Sequence, residues 1–124
     1  MTARTPTPVR SPRVLNARKD GFPTGAIYVG RGRRSKLGNP FTIGKHGTRD
    51  EVCIMHEEWF VDQSDLLVLV RQLRGCDLVC WCAPERCHAD LYLRLANTSW
   101  EQFHAITREI RERATRRSHR FGRP

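Results

Sequence analysis

A chain of 124 residues is long enough for one domain with its own hydrophobic core but too short for two substantial domains. Its 22 Lys and Arg residues against 13 Asp and Glu give a formal net charge of +9, concentrated at the two ends, which favours a polyanionic partner. No apolar run reaches the roughly 18 to 20 residues that cross a bilayer, and the start lacks the apolar stretch of a secretory signal, so we expect a soluble, cytoplasmic protein without a membrane partner.

The two ends of the chain differ in composition from its middle. Residues 1–24 are basic and rich in proline and threonine, and we expect a mostly flexible tail there, with one candidate strand at residues 14–17. Residues 25–97 have the alternating apolar patterns of an α/β core domain, and residues 98–124 those of an amphipathic, arginine-rich helix and tail. The predicted organisation is one core domain with two basic extensions.

Three short apolar runs predict strands in the core. Residues 26–29 are compact and biased towards β-branched side chains. Residues 41–43 follow a turn at Asn39 and Pro40, and residues 77–80 lead into the cysteine-rich part of the chain. Each run is short enough for a small, buried sheet.

Helices are predicted between and after these strands. Thr48 and Glu51 have the spacing of a capping box and start a helix over residues 49–61. A second helix begins near Ser64, and a third follows the cysteines. Strands and helices therefore alternate along the core.

The last predicted helix is amphipathic. Thr98 and Glu101 repeat the capping spacing at its start. An apolar stripe follows at helical spacing, made of Trp100, Phe103, Ile106, Ile110 and Ala114. We expect this helix to pack on one face and to present arginines on the other.

This order of elements predicts a small single-domain α/β fold with a mainly parallel, three-layer (Rossmann-like) sheet and flanking helices. Ligands of such sheets bind beyond the carboxyl ends of the strands. The loop after Val29 and the loop after Val79 both leave the sheet at that edge. We therefore expect the two loops to face each other across one crevice.

The loop after Val29 has the composition of an anion-binding segment. Glycine lets backbone N–H groups approach an oxyanion, and arginine grips phosphate oxygens through paired hydrogen bonds. The loop contains no complete dinucleotide or P-loop motif, and a solvated basic loop is the alternative interpretation. The candidate phosphate- and ligand-binding residues are Gly30, Arg31, Gly32, Arg33, Lys36 and Asn39.

The second candidate segment holds three of the five cysteines between a predicted strand and a predicted helix. The start of a helix favours a thiolate or a bound anion, and a histidine there can exchange protons. The candidate catalytic residues are therefore Cys82, Cys87, His88 and Asp90.

Other interpretations of the cysteines remain open. The residue types that hold a tetrahedral zinc ion are present in Cys80, Cys82, Cys87 and His88. Cys80 and Arg86 have the Cys-x5-Arg spacing of phosphatase-like loops, in which a turn encloses an anion. Cysteines are also often small buried core residues, which is what we expect for Cys53 and Cys76.

An ordered series of short motifs runs through the core. It consists of YVGRG (residues 28–32), GNPF (38–41), IG (43–44), GTRDEV (47–52), LRG (73–75), CWC (80–82) and CHAD (87–90). Over residues 27–97 the chain resembles the uncharacterised family called domain of unknown function 4326. The resemblance implies an actinobacterial or phage source and no particular activity.

The two loops together predict a function. We expect an α/β domain that binds a nucleotide or the phosphate of a nucleic acid, and we leave open whether it also acts on a nucleotide or nucleoside. One alternative is a non-catalytic, basic nucleic-acid-binding module with or without a stabilising zinc. Another is a phage or host interaction protein that uses the apolar stripe of the last helix on a protein partner.

Overall fold

The structure, a computed structural model, describes residues 11–32 and 35–120, which form three short strands and five helices. The strands are β1 Val14–Asn16, β2 Ile27–Tyr28 and β3 Leu78–Cys80. The helices are α1 Ala17–Asp20, α2 Arg49–Phe60, α3 Ser64–Arg71, α4 His88–Ala96 and α5 Trp100–Arg120.

The three strands form one parallel sheet in which β3 lies between β1 and β2. Leu15 of β1 and Tyr28 of β2 both pair with Val79, and β3 is buried along its whole length. This arrangement confirms the predicted α/β class with a parallel sheet. The three-layer, Rossmann-like arrangement stays a prediction.

Successive side chains of β3 point into two different hydrophobic clusters, because side chains alternate along a strand. Leu78 and Cys80 face the main core, to which α2, α3, α4 and α5 all contribute. Val79 faces the opposite side of the sheet, where it packs with Leu15. The thiol of Cys80 therefore lies on the helix-covered side of the sheet, next to the start of α4.

The first strand lies in the N-terminal segment, which the sequence otherwise predicts to be mostly flexible. Val14–Asn16 forms β1, which confirms the candidate strand at residues 14–17. The side-chain amide of Asn16 donates hydrogen bonds to the carbonyl oxygens of Trp81, at 3.2 Å, and Ala83, at 2.8 Å. The end of β1 thus fastens the loop that carries the cysteines.

The start of α2 has the predicted capping box. The side chain of Thr48 accepts a hydrogen bond from the N–H of Glu51 at 3.2 Å, and the Glu51 carboxylate accepts one from the N–H of Thr48 at 2.9 Å. The N–H of Thr48, followed by its side chain, lowers the pKa of Glu51. The helix predicted over residues 49–61 is confirmed to within one residue at its end.

The cap of α5 differs from the predicted one. The helix begins at Trp100, so that Ser99, and not Thr98, is the capping residue. The side-chain oxygen of Ser99 accepts a hydrogen bond from the N–H of Gln102 at 3.1 Å. Thr98 and Ser99 are adjacent and both residue types cap helices, so the spacing of Thr98 and Glu101 predicts the cap one residue too early.

The apolar stripe of α5 packs inside its own domain. Phe103 and Ile110 are buried in the main core, although Trp100 remains 58% exposed. Four arginines of this helix pair with carboxylates: Arg111 with Asp62, Arg113 with Glu57 and Glu58, Arg116 with Glu109, and Arg117 with Glu58. Much of the positive face of α5 is therefore compensated by acidic side chains.

Across the described part of the chain, no helix is both long and apolar enough to cross a membrane.

The strand predicted at residues 41–43 is wrong. This segment forms turns, with an isolated bridge between Ile43 and Gly47. Its backbone groups are used locally: the carbonyl of Phe41 accepts from Arg31 at 2.7 Å, and the N–H of Thr42 donates to the ring of His46 at 2.8 Å. These groups are therefore engaged outside any sheet ladder.

Candidate functional site

A pocket of about 400 Å³ opens at the carboxyl ends of β2 and β3. Two loops enclose it: the long loop (residues 29–48) between β2 and α2, and the cysteine loop (residues 81–87) between β3 and α4. From the predicted site residues it brings together Gly30, Arg31, Asn39, Cys82, Cys87 and His88. The two loops that were predicted to face each other therefore share one pocket.

Hydrogen bonds join the two sides of the pocket. The ring Nε2 of His88 lies 2.7 Å from the carbonyl oxygen of Val29, at the start of the long loop. The indole N–H of Trp81 donates to the hydroxyl of Tyr28 at 2.9 Å, and that hydroxyl donates to the carbonyl of Arg31 at 2.8 Å. These bonds fix the distance between the loops at two places.

Two glycines of the long loop are required by close packing. A Cβ atom on Gly30 would collide with the ring of Tyr28, and one on Gly38 would lie 2.9 Å from the Cα atom of Arg31. Gly30, which the sequence suggested for anion binding, thus has a structural reason of its own, and so does Gly38, which the sequence did not suggest. The missing side chain of Gly30 leaves room for the Tyr28 ring, and that of Gly38 leaves room for the backbone of Arg31.

Arg31 forms part of the pocket wall. Its Nε donates to the carbonyl of Asn39 at 2.8 Å, and one of its terminal nitrogens donates to the carbonyl of Phe41 at 2.7 Å. These bonds hold the guanidinium at a fixed position beside the pocket. Within the described residues, no hydrogen bond of the other terminal nitrogen is found.

Two further arginines line the pocket from the opposite side. The nearby side chain of Cys82 raises the pKa of Arg49, and the Nε of this arginine lies 3.0 Å from the carboxylate of Glu85. Arg86 lies 3.3 Å from Asp50 and also pairs with Glu57 on α2, at 3.6 Å. These carboxylates lie outside the pocket. Among the described residues, no aspartate or glutamate lines it.

Three thiols converge at the bottom of the pocket. The Sγ atoms of Cys80, Cys82 and Cys87 all lie within 4.8 Å of one another. A hydrogen bond from the Cys87 thiol, together with the N–H groups of Cys82 and Ala83, lowers the pKa of Cys80 to about 6, although burial opposes this. The N–H of Cys82 lies 3.4 Å from the Cys80 sulfur. Donation to Cys80, followed by burial, raises the pKa of Cys87.

His88 is a buried, hydrogen-bonded group. Its Nε2 donates to Val29, so its Nδ1, 3.3 Å from the Cys87 sulfur, is an acceptor when the ring is neutral. Burial lowers the pKa of His88. The ring therefore favours the neutral form, with Nδ1 as an unprotonated acceptor beside the Cys87 sulfur.

A second histidine lies behind His88 and was not predicted as special. His56 of α2 is fully buried, its Nε2 lies 2.7 Å from the hydroxyl of Tyr92, and its ring stacks on Phe60. Burial, with a smaller contribution from His88, lowers the pKa of His56 to about 3. Its Nδ1 has no hydrogen-bond partner among the described residues.

Two predicted site residues have side chains that bond to the backbone. The carboxylate of Asp90 accepts a hydrogen bond from the N–H of Cys87 at 3.0 Å, so Asp90 caps α4, and it does not line the pocket. The amide of Asn39 donates to the carbonyl of Val52 at 3.3 Å and accepts from the N–H of Phe41 at 2.9 Å. Asn39 is buried and shapes the wall of the pocket.

The remaining predicted residues lie elsewhere. Gly32 and Lys36 line a shallower hollow on the outer side of the long loop, next to Arg31. Arg33 lies outside the described residues. Cys53 is buried yet lines the main pocket, whereas Cys76 is remote from it.

Sequence reasoning missed several residues of the site. Arg49 was read only as the start of a helix, and Arg86 only as part of the Cys-x5-Arg spacing. Asn16 was read only as part of a candidate strand. The positions of these two arginines in the sequence could have indicated that they line the pocket. Arg49 begins the helix that follows the long loop, and Arg86 directly precedes Cys87.

The fold and the site define a small α/β domain with a thiol-lined pocket at the ends of its strands. Residues 14–98 match the family model described as Domain of unknown function (DUF4326), and the chain belongs to this family. The match begins at β1 and so includes Asn16, whereas the resemblance seen in the sequence began near residue 27. Comparisons with curated proteins and with solved structures found no match.

Proposed function

We propose that the pocket binds a ligand that carries phosphate, such as a nucleotide or the phosphorylated end of a nucleic-acid strand. The observation that carries this proposal is the charge of the pocket wall. Arg31, Arg49 and Arg86 line the pocket, and no described carboxylate does. Guanidinium groups bind phosphate oxygens through charge-assisted hydrogen bonds, which are about twice as strong as neutral ones.

The shape and the aromatic lining favour a nucleotide among phosphate compounds. The volume of about 400 Å³ lies in the range of roughly 300 to 1,000 Å³ that is usual for small-molecule pockets. Trp81, which is 53% exposed, and Phe41 border the pocket and offer ring faces for a base. Stacking of a base on an aromatic ring contributes about 1 to 3 kcal/mol.

Any chemistry on the ligand is proposed for the cysteine side of the pocket. Cys80, Cys82, Cys87 and His88 line it, whereas Asp90 is engaged in capping α4. The proposed catalytic set therefore differs from the one that the sequence suggested, because Cys80 replaces Asp90 in it.

Isothermal titration of the full chain tests this proposal. We expect nucleoside 5′-monophosphates to bind more tightly than the corresponding nucleosides, and binding to weaken with added salt. Arg86→Gln should weaken binding of the monophosphates about tenfold or more, because a hydrogen bond to a charged group contributes about 1.5 to 3 kcal/mol.

The matched control is Arg116→Gln, because Arg116 is exposed on α5 and pairs with Glu109 there. This variant should bind as the wild type does. Nucleosides that bind as tightly as their monophosphates would overturn the proposal. So would equal affinity of the Arg86→Gln and Arg116→Gln variants.

A further inference from the structure

We propose that Cys80, Cys82 and Cys87 bind a zinc ion as three thiolates and leave the fourth coordination position open to the pocket. The first support is the distance between the sulfurs, which all lie within 4.8 Å of one another. Zinc–sulfur bonds of about 2.3 Å in a tetrahedron place two sulfurs about 3.8 Å apart. The cluster needs to contract by about 1 Å at most to reach that spacing.

The second support is the set of hydrogen bonds that hold the cysteine loop. The sulfur of Cys80 accepts a hydrogen bond from the N–H of Cys82, with 3.4 Å between nitrogen and sulfur. Asn16 donates to the carbonyl oxygens of Trp81 and Ala83 on the same loop. These bonds fix the direction of the Cys80 sulfur and the path of the loop that carries Cys82, as the supporting partners of metal ligands do.

The fourth ligand comes from outside this group of side chains. His88 was a candidate ligand in the sequence, but its Nε2 bonds to Val29 and neither of its ring nitrogens joins the sulfur cluster. Within the described residues, no histidine, aspartate or glutamate completes the set. All three cysteines line the pocket, so the side of the metal without a protein ligand faces the pocket.

A coordination position without a protein ligand is typical of catalytic zinc sites. Structural zinc sites have four protein ligands, whereas catalytic sites have three and hold a water or a substrate atom in the fourth position. Three thiolates and one Zn²⁺ carry a net charge of −1, and Arg49 and Arg86 beside the cluster offset it. Thiolates favour soft or borderline ions, which leaves Zn²⁺ and Cu(I) as the ions to compare.

The metal site is independent of the phosphate ligand proposed above, because zinc can be measured with no other ligand present. The test uses the full chain, reduced and stripped of metal, and titrates it anaerobically with Zn²⁺ against a chromophoric chelator. We expect one equivalent of Zn²⁺ to bind. A chain that takes up no Zn²⁺, or that prefers Cu(I) when both ions are buffered at their cellular levels, would overturn the proposal.

Two variants locate the site. Cys82 is only half-buried, so Cys82→Ser should fold, and it should weaken Zn²⁺ binding by more than the roughly 10- to 100-fold that loss of a supporting partner costs. Cys76→Ser is the matched control, because Cys76 lies away from the cluster, and it should bind Zn²⁺ as the wild type does. Equal affinity of the two variants would place the metal elsewhere and end the proposal.

Cobalt substitution tests the open position. Co²⁺ in the site should show a sulfur-to-cobalt charge-transfer band and the visible bands of a four-coordinate ion, and added azide should shift the visible bands. His88→Gln should still bind one equivalent and keep this response. Visible bands that ignore azide, or loss of Co²⁺ binding in His88→Gln as complete as in Cys82→Ser, would show that the fourth ligand belongs to the protein.

Discussion

The ring of His88 donates a hydrogen bond from its Nε2 to the carbonyl oxygen of Val29, 2.7 Å away and 59 residues earlier in the chain. This bond crosses from the first residue of α4 to the first residue of the long loop. Val29 is fully buried, so water cannot replace the ring as the donor. Loss of this bond should therefore change both the free energy of unfolding and the geometry of the pocket.

Replacing His88 should reveal how much this bond contributes. His88→Phe leaves the buried carbonyl of Val29 without a donor and should lower the free energy of unfolding by about 1 to 3 kcal/mol. His88→Gln keeps an N–H donor and should cost less. Urea unfolding at pH 7 measures both, and a Phe variant as stable as the wild type would show that the carbonyl has another donor.

His56 should make the fold sensitive to acid. Its pKa is lowered to about 3 in the folded chain, against an ordinary value of about 6.5. Between these values the unfolded chain binds the extra proton, so stability falls as the pH falls. From pH 7 to pH 5 the expected loss from this one group is about 2 kcal/mol.

The matched variant for this prediction is His56→Gln, which keeps a hydrogen-bonding group beside Tyr92 but does not titrate. Urea unfolding of both proteins at pH 7 and pH 5 gives the comparison. The wild type should lose about 2 kcal/mol more than the variant. The same loss in both proteins would mean that His56 is not held neutral by burial.

Gly30→Ala should disturb the Tyr28 side chain. The new methyl group meets the Tyr28 ring, so we expect a loss of about 1 to 3 kcal/mol in the free energy of unfolding, typical of overpacking. The bond between Tyr28 and Trp81 should break as well, which Trp81 fluorescence would report. In a Tyr28→Ala background most of the cost should vanish, and an undiminished cost there would point to backbone strain instead.

The thiol cluster should titrate in the metal-free, reduced protein. The lowered pKa of Cys80 favours its thiolate at pH 7, so acidification should remove the ultraviolet thiolate absorbance with a midpoint near 6. Cys87→Ala removes the main donor and should raise the midpoint, whereas Cys76→Ser should leave it unchanged. A midpoint near 8.5, the ordinary value for cysteine, would contradict the hydrogen-bonded arrangement.

The position of the site could be predicted from the sequence because parallel strands bring their carboxyl ends to one edge. Val29 and Val79 are recognisable strand residues, and the unusual loops follow them directly. The roles of single residues could not be predicted in the same way. Asp90 and Asn39 are short polar side chains that can either meet a ligand or bond to nearby backbone, and here they do the latter.

Contacts between distant segments were also beyond the sequence pattern. Each arginine of α5 looked solvent-exposed on its own helix, but Arg113 and Arg117 meet Glu58 of α2 because the two helices pack with one particular register. Arg49 meets Glu85 of the cysteine loop by the same kind of long-range packing. A periodicity defines which face of a helix is polar, and it does not say which neighbour covers that face.

The amide of Asn16, which bonds to the carbonyl oxygens of Trp81 and Ala83, makes the N-terminal segment a support of the cysteine loop. A fragment trimmed to residues 25–97 would keep every cysteine and all three pocket arginines. It would lack β1, which pairs with β3, and the hydrogen bonds of Asn16 to the cysteine loop. Failure of such a fragment to bind anything would be a consequence of where it was cut. Recombinant work should therefore keep β1 and its Asn16 in the chain.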